Sequence, residues 1–382
     1  MHKIRLLLLL SQTLLFGEFQ YRVENTNFTI SQGSVEPNAD KSYVYNYDRL
    51  RLRTDYTKGK YFLTFIGDGV NYFGHEYVSA QDFNYVKELK SDTPFSAQTN
   101  YHDYYEGSVY AKLYRLYGGY EDNKNRAVLG LQNIQTGVGR IWTPTNLFNP
   151  KNIYALEPDE TFGVAALSYT RNIDDTSHLS VVASQNADHT FKYGARYKAF
   201  LNFADFAVDA VSSDETKMVG LELEGNLGDT GVEVRSEGAY IKNILKKASG
   251  LEEKEFFQGI IGADYGFVNG LTLIGEALYS SEKFTREEIL LNTDSEIFSN
   301  LVGSNFYTAI SATYNFNIFL DGGVVYIESF NDKNSRFISP TLTYTQNDYN
   351  TFVLGAMIQN GPSDSEFGRY GNTYYFKYSL SF

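Results

Sequence analysis

The sequence predicts an all-β protein, a transmembrane antiparallel β-barrel of eighteen strands in one domain, on three observations. Aromatic residues make up 16% of the 382 residues, with 32 Tyr, 28 Phe and 32 Gly against only 7 Pro, a mixture suited to strands and poor for helices. Mean hydropathy is −0.34, and after the first sixteen residues no apolar run approaches the roughly 20 residues that a membrane helix needs. From residue 18 onward, segments of about ten residues alternate apolar and polar positions and are separated by polar turns.

The chain begins with a basic stretch, His2, Lys3 and Arg5, followed by Ile4, Leu6 to Leu10 and Leu14 to Phe16, ending at Gly17. This predicts a secretory signal peptide over 1–17, with the barrel as a single domain over 18–382. The first strand, 19–30, follows from parity, because seventeen strands would be unusual for a bacterial single-chain barrel. The second, 43–56, sets Tyr45, Tyr47, Arg49, Arg51, Arg53 and Asp55 on one face and Leu50 and Leu52 on the other. Strands at 60–72, 104–119, 126–137 and 161–172 follow, two of their turns falling at Lys58-Gly59 and Asp122-Asn123. The patterns at 178–186 and 203–212 are weak, and without them the count is sixteen. Between them, 190–200 alternates Phe191, Tyr193, Ala195, Tyr197 and Ala199 with Lys192, Arg196 and Lys198. In 216–226, Val219, Leu221 and Leu223 oppose Glu222 and Glu224, and 231–242 places Glu233, Arg235 and Glu237 on one face. Strands at 254–267, 271–283, 304–316, 318–330, 335–347 and 350–360 lead to the last, 372–382, where Tyr374, Phe376, Tyr378, Leu380 and Phe382 share a face.

A soluble β-sandwich also alternates, but its strands average five or six residues and its connections are short on both sides. Here the long connections, 73–103, 138–160, 243–253, 284–303 and 361–371, all follow odd-numbered strands, and those after even-numbered strands are short. Long loops outside and short turns inside is the pattern of an outer-membrane barrel.

Arg49, Arg51 and Arg53 form a ladder that would cost roughly 2–4 kcal/mol per residue facing lipid, so they must face the lumen. With Lys192, Arg196 and Lys198 they are predicted basic channel-lining residues, and Glu222, Glu224, Glu233 and Glu237 acidic ones. Strand eleven lies nine strands from the ladder, so opposed charged walls would set up a transverse field. Pairing of Lys192, Arg196 and Lys198 with Asp205 and Asp209 would weaken it, and arginines paired within the wall would only fill it. The connection 138–160 holds the single Trp, Trp142, with Leu147, Phe148, Ile153, Tyr154 and Leu156, too apolar for a loop in water. Inward folding as a constriction loop is expected, a subunit contact or a structural cap being the alternatives. Its flanking G-V-G and D-E motifs are too short to assign a role.

The chain has no Cys and a net charge of −13, which excludes disulfides and thiolate metal sites and disfavours nucleic acid as a partner. Besides His2 there are only His75, His102, His178 and His189; with no G-x-S-x-G motif and no metal-ligand spacing, no catalytic residue, metal or cofactor is assigned. A hydrolase is therefore the remote alternative, and a non-conducting adhesin or receptor acting through its long loops is the nearer one. The length leaves no room for a plugged twenty-two-strand transporter.

The N-terminal segment, the Tyr-rich alternating strands and the closing YYFKYSLSF with terminal Phe382 resemble Gram-negative outer-membrane porins. The resemblance implies an integral outer-membrane channel, surrounded by outer-membrane lipid, for passive diffusion of small hydrophilic solutes or ions. It implies that Tyr374, Tyr378 and Phe382 are the assembly signal for the barrel-assembly machinery. A homotrimer is also implied, for which short outward residues such as Ala165 and Ala195 leave room. The stretch GRIWTPTNLFNPKNIYALEPDE is similar to a segment of uncharacterised porin-like proteins.

Overall fold

The computed structural model describes residues 17–34, 41–330 and 333–382, so the signal-peptide segment 1–16 lies outside the described residues. Eighteen strands form the wall: β1 Glu18–Gly33, β2 Ser42–Lys58, β3 Tyr61–Phe73, β4 Gly107–Glu121, β5 Asn125–Gln132, β6 Val164–Asn172, β7 His178–Gln185, β8 Phe191–Phe200 and β9 Asp205–Ser212 make the first half. The second half is β10 Thr216–Asn226, β11 Val232–Lys247, β12 Gly250–Gly266, β13 Leu271–Ser280, β14 Phe306–Asn317, β15 Leu320–Ser329, β16 Ser335–Thr345, β17 Asn350–Asn360 and β18 Thr373–Ser381. Each strand pairs antiparallel with the next, and β18 returns to β1 through Glu24 opposite Ser381 to Gln32 opposite Thr373. Closure leaves no free sheet edge, which is what allows a sheet to satisfy its backbone groups in lipid.

The pleat sorts the side chains. On β10, Val219, Leu221 and Leu223 are exposed on the outer surface while Glu222, one position away, is buried. On β2, Val44, Leu50 and Leu52 face out and Tyr45, Arg49 and Arg51 are buried within. Charged strand residues are thus taken into the lumen, where they find partners.

The connection between β3 and β4 carries helices α1 His75–Val78 and α2 Gln81–Glu88 and a short strand, His102–Tyr104, that pairs with the start of β4. Tyr77 and Phe83 of these helices pack on Tyr43, Tyr45 and Tyr72 of the wall. A third helix, α3 Arg286–Leu291, sits between β13 and β14 and is closed by a capping box from Thr285 and Glu288.

Two expectations need correction. The predicted long connection at 243–253 is a two-residue hairpin turn, because β11 runs on to Lys247 and β12 starts at Gly250. Asn243 and Leu245 continue the buried face, while Lys242 reaches Glu253 at 2.6 Å and Glu255 at 3.0 Å across the pair. Charge pairing sustains the ladder where apolar alternation stops. The connection expected at 138–160 is longer, because β5 ends at Gln132 and β6 begins at Val164.

Candidate functional site: the lumen and its loop

The segment 133–163 folds into the barrel and meets both walls. On the acidic side, Glu237 accepts the Val138 amide at 2.8 Å, the Gly139 amide at 3.1 Å and the Thr145 amide at 2.7 Å. Glu222 accepts the Gly137 amide at 2.8 Å, and Glu276 on β13 accepts those of Arg140, Ile141 and Trp142 at 2.9, 3.2 and 2.8 Å. The Arg140 guanidinium extends into the remaining acids, at 3.1 Å from Glu224, 2.6 Å from Glu233 and 3.3 Å from Asp264. Orphan loop amides and buried carboxylates thereby satisfy one another, the arrangement that makes burial of either affordable.

The G-V-G motif has a steric basis. Gly137 has φ +92°, and a Cβ there would lie 2.8 Å from the Glu237 carboxylate; a Cβ on Gly139 would overlap the Trp142 carbonyl. Only glycines let this backbone lie against the acidic wall. Of the predicted constriction residues, Leu147 is buried with Met218, Ala239 and Ile241, Phe148 packs beside it, and Trp142 lies 5.9 Å from the Tyr307 ring. The motifs G-V-G and D-E, unassigned in the sequence, each engage a wall, Gly137 to Gly139 through their amides and Glu160 through Arg51.

On the basic side the loop presents Glu157 and Glu160. Arg49 donates to Glu157 at 2.8 and 3.2 Å, and Lys377 of β18 donates to the same carboxylate at 2.9 Å. Arg51 donates to Glu160 at 2.8 and 2.9 Å and to Asp68 of β3 at 2.7 and 2.8 Å. Burial pushes the Glu160 carboxyl up, but the hydrogen bond from Arg51 and the charges of Arg49 and Arg51 outweigh it and hold it at about 2. Arg53 differs from its neighbours, being half-exposed and paired with Asp55 of its own strand at 2.6 Å.

Lys192, Arg196 and Lys198 also face inward. Lys192 donates to the Leu147 carbonyl at 3.0 Å, Arg196 joins Asp209 at 3.2 Å to Glu222 at 2.5 Å, and Lys198 meets Asp205 at 2.7 Å. The sequence leaves two readings, opposed walls of charge or charges paired within the wall. The loop covers both walls and most named charges are paired, as the second reading has it, because an unpaired charge inside the barrel loses its hydration without compensation.

Sequence reasoning missed Asp68, Glu157, Glu160, Arg140 and Glu276. Glu276 had a visible signal, a lone charge in the apolar strand LTLIGEAL, and so did Asp68, the one charge of β3. Beside the ladder lies a cavity of ≈ 360 Å³ lined by Tyr45, Tyr47, Tyr72, Tyr110, Arg49 and Lys112 among others. Lys112 stands 4.8 Å from the Phe162 ring and 5.2 Å from the Tyr114 ring. The C-terminal residues close the wall: Tyr374 and Phe382 are exposed on the outside, Tyr378 donates to Asn350 at 2.7 Å, and the Phe382 amide donates to Val23 at 2.9 Å.

No family model and no curated protein matches the chain. Solved structures do. OccAB1 of Acinetobacter baumannii superposes with a TM-score of 0.62 at 10% identity over 95% of this chain and 96% of its own. A BenF-like porin from Pseudomonas fluorescens Pf-5 gives 0.59 at 12% identity over 96% and 98%. OpdK of Pseudomonas aeruginosa, solved with vanillate, gives 0.58 at 10% identity over 96% and 98%. End-to-end coverage at such low identity is a likeness of fold: this chain has the closed eighteen-strand barrel fold of Gram-negative outer-membrane porins.

Proposed function

We propose that the chain is an integral outer-membrane porin, a channel for passive diffusion of small hydrophilic solutes narrowed by the 133–163 loop. The observation that carries this reading is a closed barrel whose inner wall is charged and whose loop is fastened to both sides of the lumen, beside a cavity of ≈ 360 Å³. A barrel needed only as a scaffold for external loops has no use for an interior so rich in ionisable groups. Arg49 and Lys112 border the cavity with tyrosines, which suits small organic anions with a flat body, and OpdK, of the same fold, is solved with vanillate. The exposed apolar outer face is the lipid contact, Tyr374, Tyr378 and Phe382 are the assembly signal, and a homotrimer is the proposed assembly.

Liposome swelling tests the reading. Vesicles containing the purified protein should swell in small sugars and organic acids and remain impermeable to large oligosaccharides. Vesicles with correctly folded protein that swell no faster than empty ones would remove it.

A further inference from the structure

Over most of its circumference the outer wall presents apolar side chains at mid-strand, among them the exposed Leu167, Val181, Leu221, Ile261, Ile310 and Leu354. On β1 to β3 the alternation turns a different set outward. Thr26, Phe28 and Ile30 are buried within, so Asn25, Asn27 and Thr29 face out. Tyr47, Arg49 and Arg51 point inward, so Asn46 and Asp48 face out, and Asn71 follows on β3 between the inward Val70 and Tyr72. The sector lies among lipid-facing residues, with Asn25 in register between Leu380 and Leu50, and Asn27 between Tyr378 and Asp48. Asn27 and Asn46 bond each other reciprocally at 2.9 and 2.8 Å, and Asp48 Oδ1 accepts from Asn25 at 2.9 Å and Asn27 at 3.2 Å. Among the described residues no Lys or Arg pairs with Asp48, and no donor reaches its Oδ2. A carboxylate turned to lipid is destabilising, and polar groups at that depth are held by protein neighbours.

Surfaces of opposite relief bound this sector. On β17 and β18 the Phe352 ring stacks on Phe376 at 6.2 Å and on Tyr378 at 5.1 Å, forming an exposed aromatic ridge. On β3 and β4, Gly69 stands opposite Ala111, and a Cβ on Gly69 would meet nothing within 4 Å, which leaves a dent. In register, Phe376 faces Thr29, Thr29 faces Asn46 and Asn46 faces Phe73, four residues beyond Gly69. At a strand tilt of roughly 45°, the climb across three strands, about 10 Å, offsets the descent of four residues, about 9 Å. Ridge and dent therefore lie at one level. Three steps round an eighteen-strand circle turn through about 60°, the angle between the two contacts that each member of a ring of three makes with its neighbours.

We propose that this sector is the interface through which three copies of the chain assemble, the Phe376 ridge of one copy seated in the Gly69 dent of the next. The amides and Asp48 are enclosed between them, where the next copy's Thr29 and Tyr374 hydroxyls donate to the free carboxylate oxygen. The inference rests on the homotrimer reading above and gives it a surface. Lipid tails offer neither a donor for Asp48 nor a rigid body for the dent, whereas a second copy offers both. The contact is head to tail, and its angle closes it into a trimer rather than a filament.

The chain has no Cys, so introduced thiols report this contact alone. Ala111 lies opposite Gly69 and Leu354 opposite Phe376, on β4 and β17, whose positions on the circle are too far apart for a short thiol cross-linker to join within one copy. In native outer membranes, a variant carrying both Ala111→Cys and Leu354→Cys should give covalent trimers with such a reagent, and each single variant none. Gly69→Trp, which fills the dent, should lower the yield of trimers in mild detergent several-fold, while Leu221→Trp on the far wall leaves it unchanged. Both barrels should keep their heat-modifiable gel mobility. Trimers of the unmodified protein, combined with no cross-linking in the double variant or with an undiminished yield from folded Gly69→Trp, would overturn the interface and leave the trimer standing. Monomers alone in native membranes would remove the homotrimer reading and the interface with it.

Discussion

Arg51 is held from two sides, by Asp68 in the wall and Glu160 in the loop, and stacks 4.0 Å from the Tyr114 ring. Its replacement by Ser strands a carboxylate, Asp68, that is only 5% exposed. Breaking a buried pair from one side costs about 3–5 kcal/mol, and Arg51→Ser should lower the temperature at which the barrel loses its compact gel mobility. Arg53→Ser removes a half-exposed pair and should cost under about 1 kcal/mol by the same assay. The alternation of β2 shows that all three arginines enter the lumen, because lipid is too costly for any of them. It does not show how they differ, since Glu157 and Glu160 lie more than a hundred residues away and meet the ladder only after the barrel closes.

The loop 133–163 is one element with two attachments of different character. Its glycine end is steric, so Gly139→Ala should push the backbone off Glu237 and Glu276, open the lumen and raise single-channel conductance. Its acidic end is ionic. The Glu160 carboxyl is held at about 2 against an ordinary value of about 4.3, so its contribution to docking is complete above the ordinary value and is lost as pH falls through about 2. The Glu160 attachment should therefore hold from pH 7 to about 5 and loosen only in stronger acid, read as faster proteolysis of residues 150–163 there. Glu366, in the connection between β17 and β18, behaves oppositely: burial raises its carboxyl, against hydrogen bonds from Tyr307 and Ser329 at 2.7 and 2.8 Å. Its contribution is present in acid and is lost as pH rises through the raised value, so proteolysis of residues 361–372 should quicken with rising pH, and Glu366→Gln should abolish that dependence. The apolar content of 138–160 is enough to predict that the segment packs against something. The amide-to-carboxylate contacts were not legible, because a backbone N–H leaves no mark in a sequence.

For the barrel as a whole, strand number and the sidedness of connections follow from period-two alternation and turn spacing, and all eighteen strands occur near their predicted positions. The error at 243–253 arose where charge pairs replaced apolar alternation. Burial of charge explains both the fold and its interior: lipid expels ionisable side chains, the lumen collects them, and the loop fastens to them from within. Single-channel conductance, recorded side by side for the unmodified protein and a variant with 138–160 replaced by a short Gly-Ser turn, probes this account at its centre. Small, well-defined steps in the unmodified protein and several-fold larger ones in the variant are the predicted result; equal steps, or none in either folded protein, would contradict it.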